Sequence, residues 1–342
     1  MKKIIIIGAG AMGSAFAVPC IENKNDVTIV GTHLENILID NIKSNDQIHP
    51  TLKTQLPKEI KFERFEKLQT ILNKDLDLIV CGVSSVGIEW FVKQISKTYK
   101  KKLPIVLLTK GLSILNNELT TLSDKIRNLL KKEGHSEINI SAIKGPCLAA
   151  GLANKMRTGT VIANQNIKEC QSLEKIISTN YYSTEISEDI TGVELSGAIK
   201  NIYSMLIGAS EGLSNSEAPK EIQSKYFLNT AASLIHRSIS EMVEFVSHYG
   251  GKADTVYGLA GLGDLYVSAI GGRNSLMGKY LGEGHLYNDA KEKFMKDVTV
   301  EGAQLALEIG PKILQDLNPQ HFPLMFSMLN TICKNKKLQI DW

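Results

Sequence analysis

The 342-residue chain carries 39 Lys and Arg against 36 Asp and Glu, a net charge of +3 that is too small to mark a nucleic-acid or anionic-membrane partner. At roughly 100–200 residues per domain this length suggests two domains, and 43% hydrophobic residues supply an ample core. No run approaches the roughly 20 apolar residues of a membrane span, and the five cysteines (Cys20, Cys81, Cys147, Cys170, Cys333) form no CxxC pair, which argues against a disulfide framework or zinc site and fits a reducing, cytoplasmic location.

Met1-Lys2-Lys3 followed by isoleucines imitates a secretory leader, but the apolar run is too short and glycines interrupt it. Ile4 to Ile7 read instead as a buried strand, and Gly8-Ala9-Gly10-Ala11-Met12-Gly13 falls where that strand turns into a helix. This spacing suits a dinucleotide: Gly8 allows the tight turn, Gly10 lets backbone approach a pyrophosphate, and Gly13 lets helix and strand pack closely. The helix N-terminus then offers unpaired N–H groups to the phosphates. Gly8, Gly10, Ala11, Met12 and Gly13 are therefore candidate cofactor residues.

The helix is expected from Met12 to about Glu22, with Pro19 kinking or ending it. Val27–Val30 is a second strand. An acidic residue at its end would report NAD and an arginine NADP; the strand runs instead into Gly31-Thr32-His33-Leu34-Glu35, where Glu35 falls slightly late, so NAD(H) and NADP(H) both stay open. Residues 45–61, holding Pro50 and Pro57, read as an irregular excursion. Asp77–Val83, Pro104–Leu108, Ile138–Ile143 and Thr160–Ala163 continue the strands, alternating with helices as a doubly wound parallel sheet requires.

From about Asp189, apolar residues recur at helical spacing (Val193, Leu195, Ile199, Ile202, Tyr203, Leu206), and Leu228–Tyr249 reads as a second helix closed by Gly250-Gly251. The expected fold is thus α/β, a dinucleotide-binding Rossmann domain over residues 1–187 followed by an all-helical domain over residues 188–342.

Three segments look chemical. Lys110, in Thr109-Lys110-Gly111, follows a strand and should sit at the carboxyl edge of the sheet, although taken alone it reads first as one more surface lysine of a lysine-rich chain. Lys200 and Asn201 lie in an apolar helix; a lysine there is either desolvated for acid–base work or snorkels to the surface. The glycine-rich run 258–265 and Gly271-Gly272-Arg273-Asn274 hold an aspartate and one of five arginines, suited to gripping a phosphate, or else form a linker.

The motifs GAGAMG (8–13), TKG (109–111), GPCLAAG (145–151), GVELSGAIKN (192–201), GLAGLGDL (258–265), GGRN (271–274) and VEG (300–302) together resemble the NAD(P)-dependent glycerol-3-phosphate dehydrogenase family, in the family's order and over nearly the whole chain. The resemblance implies interconversion of dihydroxyacetone phosphate and sn-glycerol 3-phosphate with NAD(H) or NADP(H), supplying phospholipid or a glycerol-phosphate polymer, and a possible homodimer. It implies Lys200, Lys110 and Asp264 as catalytic residues, with Lys110, Gly145, Asn201, Ser268, Arg273 and Asn274 on the substrate and Arg273 and Glu301 at the cofactor. No metal is implied. The chain departs from the family at Cys147 and Leu148, at residues 31–36, and in the longer stretch 214–228. These departures keep in view a relative acting on another polyol or ketose phosphate, and a cofactor-binding sensor without turnover.

Overall fold

The computed structural model describes residues 1–100, 102–217 and 223–340, so the middle of the long 214–228 stretch lies outside the described residues. Twelve strands are formed: β1 (Lys3–Ile7), β2 (Asp26–Val30), β3 (Ile48–His49), β4 (Thr54–Gln55), β5 (Lys61–Glu63), β6 (Leu78–Cys81), β7 (Ile105–Leu107), β8 (Leu112–Leu115), β9 (Glu118–Thr121), β10 (Ile140–Lys144), β11 (Thr158–Ala163) and β12 (Tyr182–Ser187). Eight of them build one sheet in the order β12-β11-β10-β7-β6-β1-β2-β5. From β5 to β10 every pairing is parallel. The order reverses at β1, which makes the β1–β6 edge the topological switch point where doubly wound sheets bind ligands.

The four isoleucines of β1 are buried because both faces of the sheet are covered. Ile4 and Ile6 join a core with Phe16 and Val18 of the helix Ala11–Glu22, whereas Ile5 and Ile7 join another with Ile88 and Phe91. Pro19 lies inside that first helix without ending it. Two strand expectations need correcting. β11 runs antiparallel to β10, and it carries β12, a strand missed in the sequence because its residues alternate between buried and exposed at the sheet edge without an apolar run.

Contacts divide the chain into two compact units, residues 1–110 with 122–190 and residues 111–121 with 191–342. The second unit takes the β8–β9 hairpin, whose Leu112, Ile114 and Leu119 pack into the helical core. That core is built on the 28-residue helix Ile190–Glu217, which buries Leu195, Ile199, Ile202, Tyr203 and Leu206. This helix meets the helix Arg273–Gly282 backbone to backbone: a Cβ on Gly278 would overlap the carbonyl oxygen of Met205, and one on Gly208 that of Ser275. Glycine there brings the two helices within main-chain contact, and so fixes Lys200 and Asn201 relative to Arg273 and Asn274 within the unit.

Candidate active site

In the first unit the glycine fingerprint is built tightly on every side but one. Gly8 adopts φ +110, open chiefly to glycine, and a Cβ on it would lie 2.7 Å from the carbonyl oxygen of Gly82, just after the neighbouring strand β6. A Cβ on Gly13 would overlap the carbonyl oxygen of Gly8. At Gly10, by contrast, a Cβ would meet nothing nearer than Glu35 Oε1 at 3.9 Å, so its face is open. The helix begins at Ala11 with no side-chain cap and no acid in its first turn, which leaves the amides of Ala11, Met12 and Gly13 directed outward as an anion site.

The Ala9 peptide between these glycines is pinned from both ends. Its N–H donates to Glu35 Oε2 at 3.1 Å. Its carbonyl accepts from the Ser14 hydroxyl and from His49 Nε2, each at 3.0 Å. His49 Nδ1 accepts from the amides of Thr51 and Leu52, which fixes Nε2 as the protonated nitrogen. Neither Glu35 nor His49 was singled out from the sequence as a site residue. Glu35, in the turn after β2, and His49, in β3, both fold back onto the fingerprint, a relation that spacing alone does not reveal. Lys110, at the carboxyl edge of the sheet, donates from Nζ to the Gly145 carbonyl at 3.3 Å. Gly145 has φ +137 and lies against β11, where a Cβ would sit 3.0 Å from Thr160 Cα.

In the second unit Lys200 is buried, not snorkelling: 3% of its surface is exposed. Its Nζ lies 2.7 Å from Asp264 Oδ1 and hydrogen-bonds the Ser268 hydroxyl. Asp264 follows a π-helical turn over Leu259–Gly263, a local widening that often re-aims a side chain at a functional site. The next residue of the motif, Asn201, accepts from Asn274 Nδ2 at 2.9 Å, and Asn274 Oδ1 in turn accepts from the Gly302 amide at 2.9 Å. Arg273 Nη2 pairs with Glu301 Oε1 at 2.9 Å across two exposed side chains. Lys200, Asn201, Asp264, Ser268, Asn274 and Glu301 thus come from four helices of a single unit, Ile190–Glu217, Asp264–Ala269, Arg273–Gly282 and Glu301–Asp316. A buried ammonium held by one carboxylate and one hydroxyl can donate a proton and receive it back.

Sequence models of the NAD-dependent glycerol-3-phosphate dehydrogenase N-terminus and C-terminus match residues 3–170 and 189–340. The chain belongs to this family. It is 32% identical to the NADP(+)-dependent glycerol-3-phosphate dehydrogenase of Archaeoglobus fulgidus, over 92% of this chain and 91% of that one. It is 31% identical to a glycerol-3-phosphate dehydrogenase [NAD(P)+] of Clostridium botulinum, over 89% and 85% of the two chains. The crystal structure of glycerol-3-phosphate dehydrogenase from Coxiella burnetii shares the fold, with a TM-score of 0.81 at 24% identity, over 99% of this chain and 96% of that one.

As a glycerol-3-phosphate dehydrogenase family member the protein is an NAD(P)-dependent oxidoreductase. The fingerprint loop fits such a cofactor on its own geometry, since the open face of Gly10 and the uncapped helix beside it leave room and donors for a pyrophosphate. Among the described residues no helix is long and apolar enough to cross a membrane, and no cluster of side chains could hold a metal ion.

Proposed function

We propose that the protein interconverts dihydroxyacetone phosphate and sn-glycerol 3-phosphate, and the observation that carries this reading is the buried Lys200 ammonium on Asp264. When bound, the nicotinamide cofactor supplies or accepts the hydride at C2 of the substrate. In the reductive direction Lys200 gives its proton to the former ketone oxygen and offsets the charge that develops there. In the oxidative direction the same nitrogen, deprotonated, takes the hydroxyl proton. Asp264 and Ser268 hold Nζ in place.

Arg273 and the amide end of its helix are assigned to the substrate phosphate, with Asn201 at the glycerol hydroxyls. Two of the hydrogen-bonding groups of Asn274 are engaged by Asn201 and Gly302, so it acts chiefly by holding Asn201. Lys110, steadied by Gly145, contributes a further cation to the substrate, and Glu301 orients Arg273. Anchoring the phosphate makes delivery to C2 effectively intramolecular.

We assign residues 1–187, apart from the hairpin at 111–121, to dinucleotide binding and residues 188–342 to substrate binding and catalysis, in a cytoplasmic homodimer supplying glycerol 3-phosphate for lipid or polymer synthesis. The free state of all five cysteines supports a reducing compartment. The test is NADH or NADPH oxidation by purified protein given dihydroxyacetone phosphate. Turnover that Lys200→Ala abolishes supports the reading; no turnover with either nucleotide overturns it.

A further inference from the structure

The end of β2, where a dinucleotide-binding sheet ordinarily carries its ribose-reading residue, holds Gly31. The missing side chain has a replacement. The turn after β2 closes with the Glu35 amide donating to the Thr32 carbonyl at 2.9 Å, and Glu35 Cβ then lies 3.3 Å from where a Cβ on Gly31 would be. Glu35, together with Ile39 whose Cγ1 is nearer at 2.9 Å, occupies the space that the strand-end position vacates, although it lies five residues beyond Val30, the last residue of β2.

Its carboxylate is held there by two amides, both on Oε2: Ala9 N at 3.1 Å and Thr32 N at 2.7 Å. Among the described residues Oε1 has no hydrogen-bond partner, and it faces the open side of Gly10, at 3.9 Å from its Cβ position. A half-buried carboxylate beside that glycine, with one oxygen spare, suits a neutral vicinal diol that can donate to it. A phosphate monoester at the same point would bring about 1.5 to 2 further negative charges against it. Arg64, in the loop that hydrogen-bonds Asn36, is held by Asp40 through two of its nitrogens. His33 packs its ring against Trp90 and Phe65 at 5.4 and 6.1 Å.

We propose that Glu35 is the specificity-determining residue of the cofactor site and selects NAD(H) over NADP(H). The inference rests on the reading of the chain as an NAD(P)-dependent dehydrogenase. It separates this chain from the Archaeoglobus relative, whose name states NADP(+) dependence.

The experiment is fluorescence titration of the purified protein with NADH and with NADPH, without substrate, on the native protein and on Glu35→Gln. The variant keeps a carbonyl oxygen to accept from Ala9 and Thr32 and removes the charge. Native protein should bind NADH about tenfold or more tighter than NADPH, as expected for like charges opposed across a site. Glu35→Gln should narrow that ratio chiefly by tightening NADPH. Equal affinities in the native protein, or a ratio unchanged in Glu35→Gln, overturn the proposal and leave the dehydrogenase reading standing. Failure of both nucleotides to bind overturns both. An NADH preference without turnover of dihydroxyacetone phosphate supports the proposal and overturns the substrate assignment.

Discussion

Lys200 Nζ and Asp264 Oδ1 lie 2.7 Å apart with side chains 4% and 3% exposed, a pair withdrawn almost wholly from water. Such a pair is costly to bury, and removing one partner leaves the other charge uncompensated. Either substitution therefore carries a stability cost, and Lys200→Ala a cost in turnover as well. Lys200→Ala should lower kcat by about 10²–10⁴-fold, as loss of a general acid does, while NADH affinity measured by fluorescence stays native. Both Lys200→Ala and Asp264→Ala should lose about 3–5 kcal/mol of unfolding free energy in urea, because each leaves the other charge buried without its partner. Native stability in Asp264→Ala would show that other groups carry the ammonium.

Two glycines of the fingerprint separate folding from binding. Gly10→Ala meets open space at an ordinary backbone conformation, φ −62, so its melting temperature should match the native protein while cofactor affinity falls. Gly13→Ala drives a methyl group into the Gly8 carbonyl and should destabilise the fold itself, by about 1–3 kcal/mol or more. Thermal melts and NADH titrations of both variants decide the matter. Equal melting temperatures for the two would contradict the geometry.

The helix contact in the second unit gives a third expectation. Gly278→Ala places its methyl against the main chain of the Lys200 helix, which has no flexible side-chain end to yield. A loss of about 1–3 kcal/mol is expected from overpacking, with kcat falling further than stability alone would require, since the contact sets Lys200 against Arg273. Urea unfolding and steady-state kinetics on the same sample read both.

Alkaline pH should weaken the protein. Burial pushes the Cys81 thiol up to about 12 and that of Cys20 above it. An unfolded thiol ionises near about 8.5. Between these values the unfolded chain sheds protons that the folded chain keeps, so stability is full below the unfolded pKa and drains as pH rises, by about 1.4 kcal/mol per pH unit for each thiol. Urea midpoints at about pH 8 and about pH 10 should differ accordingly, and replacing both cysteines by alanine should flatten the decline. An unchanged slope in the double variant removes the thiols as its cause.

What the sequence made legible was local. The isoleucine run with its glycine triplet announces a buried strand and a phosphate-binding turn within eleven residues, from Lys3 to Gly13. Lys200 stood out because helical spacing set it among apolar neighbours, but its burial required the partners on Asp264 and Ser268, which are 64 and 68 residues away. The position of Glu35 is hidden in the sequence for a related reason. Its distance along the chain placed it beyond the strand, and the turn that brings it back depends on Gly31 having no side chain. β12 escaped because an edge strand facing solvent on one side lacks the continuous apolar run that marks the central strands.

The β8–β9 hairpin lies in the middle of the first unit's sequence and belongs by its contacts to the second. The chain therefore passes between units three times, after Lys110, after Thr121 and after Ile190. No single cut yields both units whole: a fragment ending at residue 190 would keep a hairpin whose Leu112, Ile114 and Leu119 have lost their helical partners. The two halves of this enzyme cannot be exchanged with those of a distant dehydrogenase by one recombination event, which ties their evolution together as a single heritable piece.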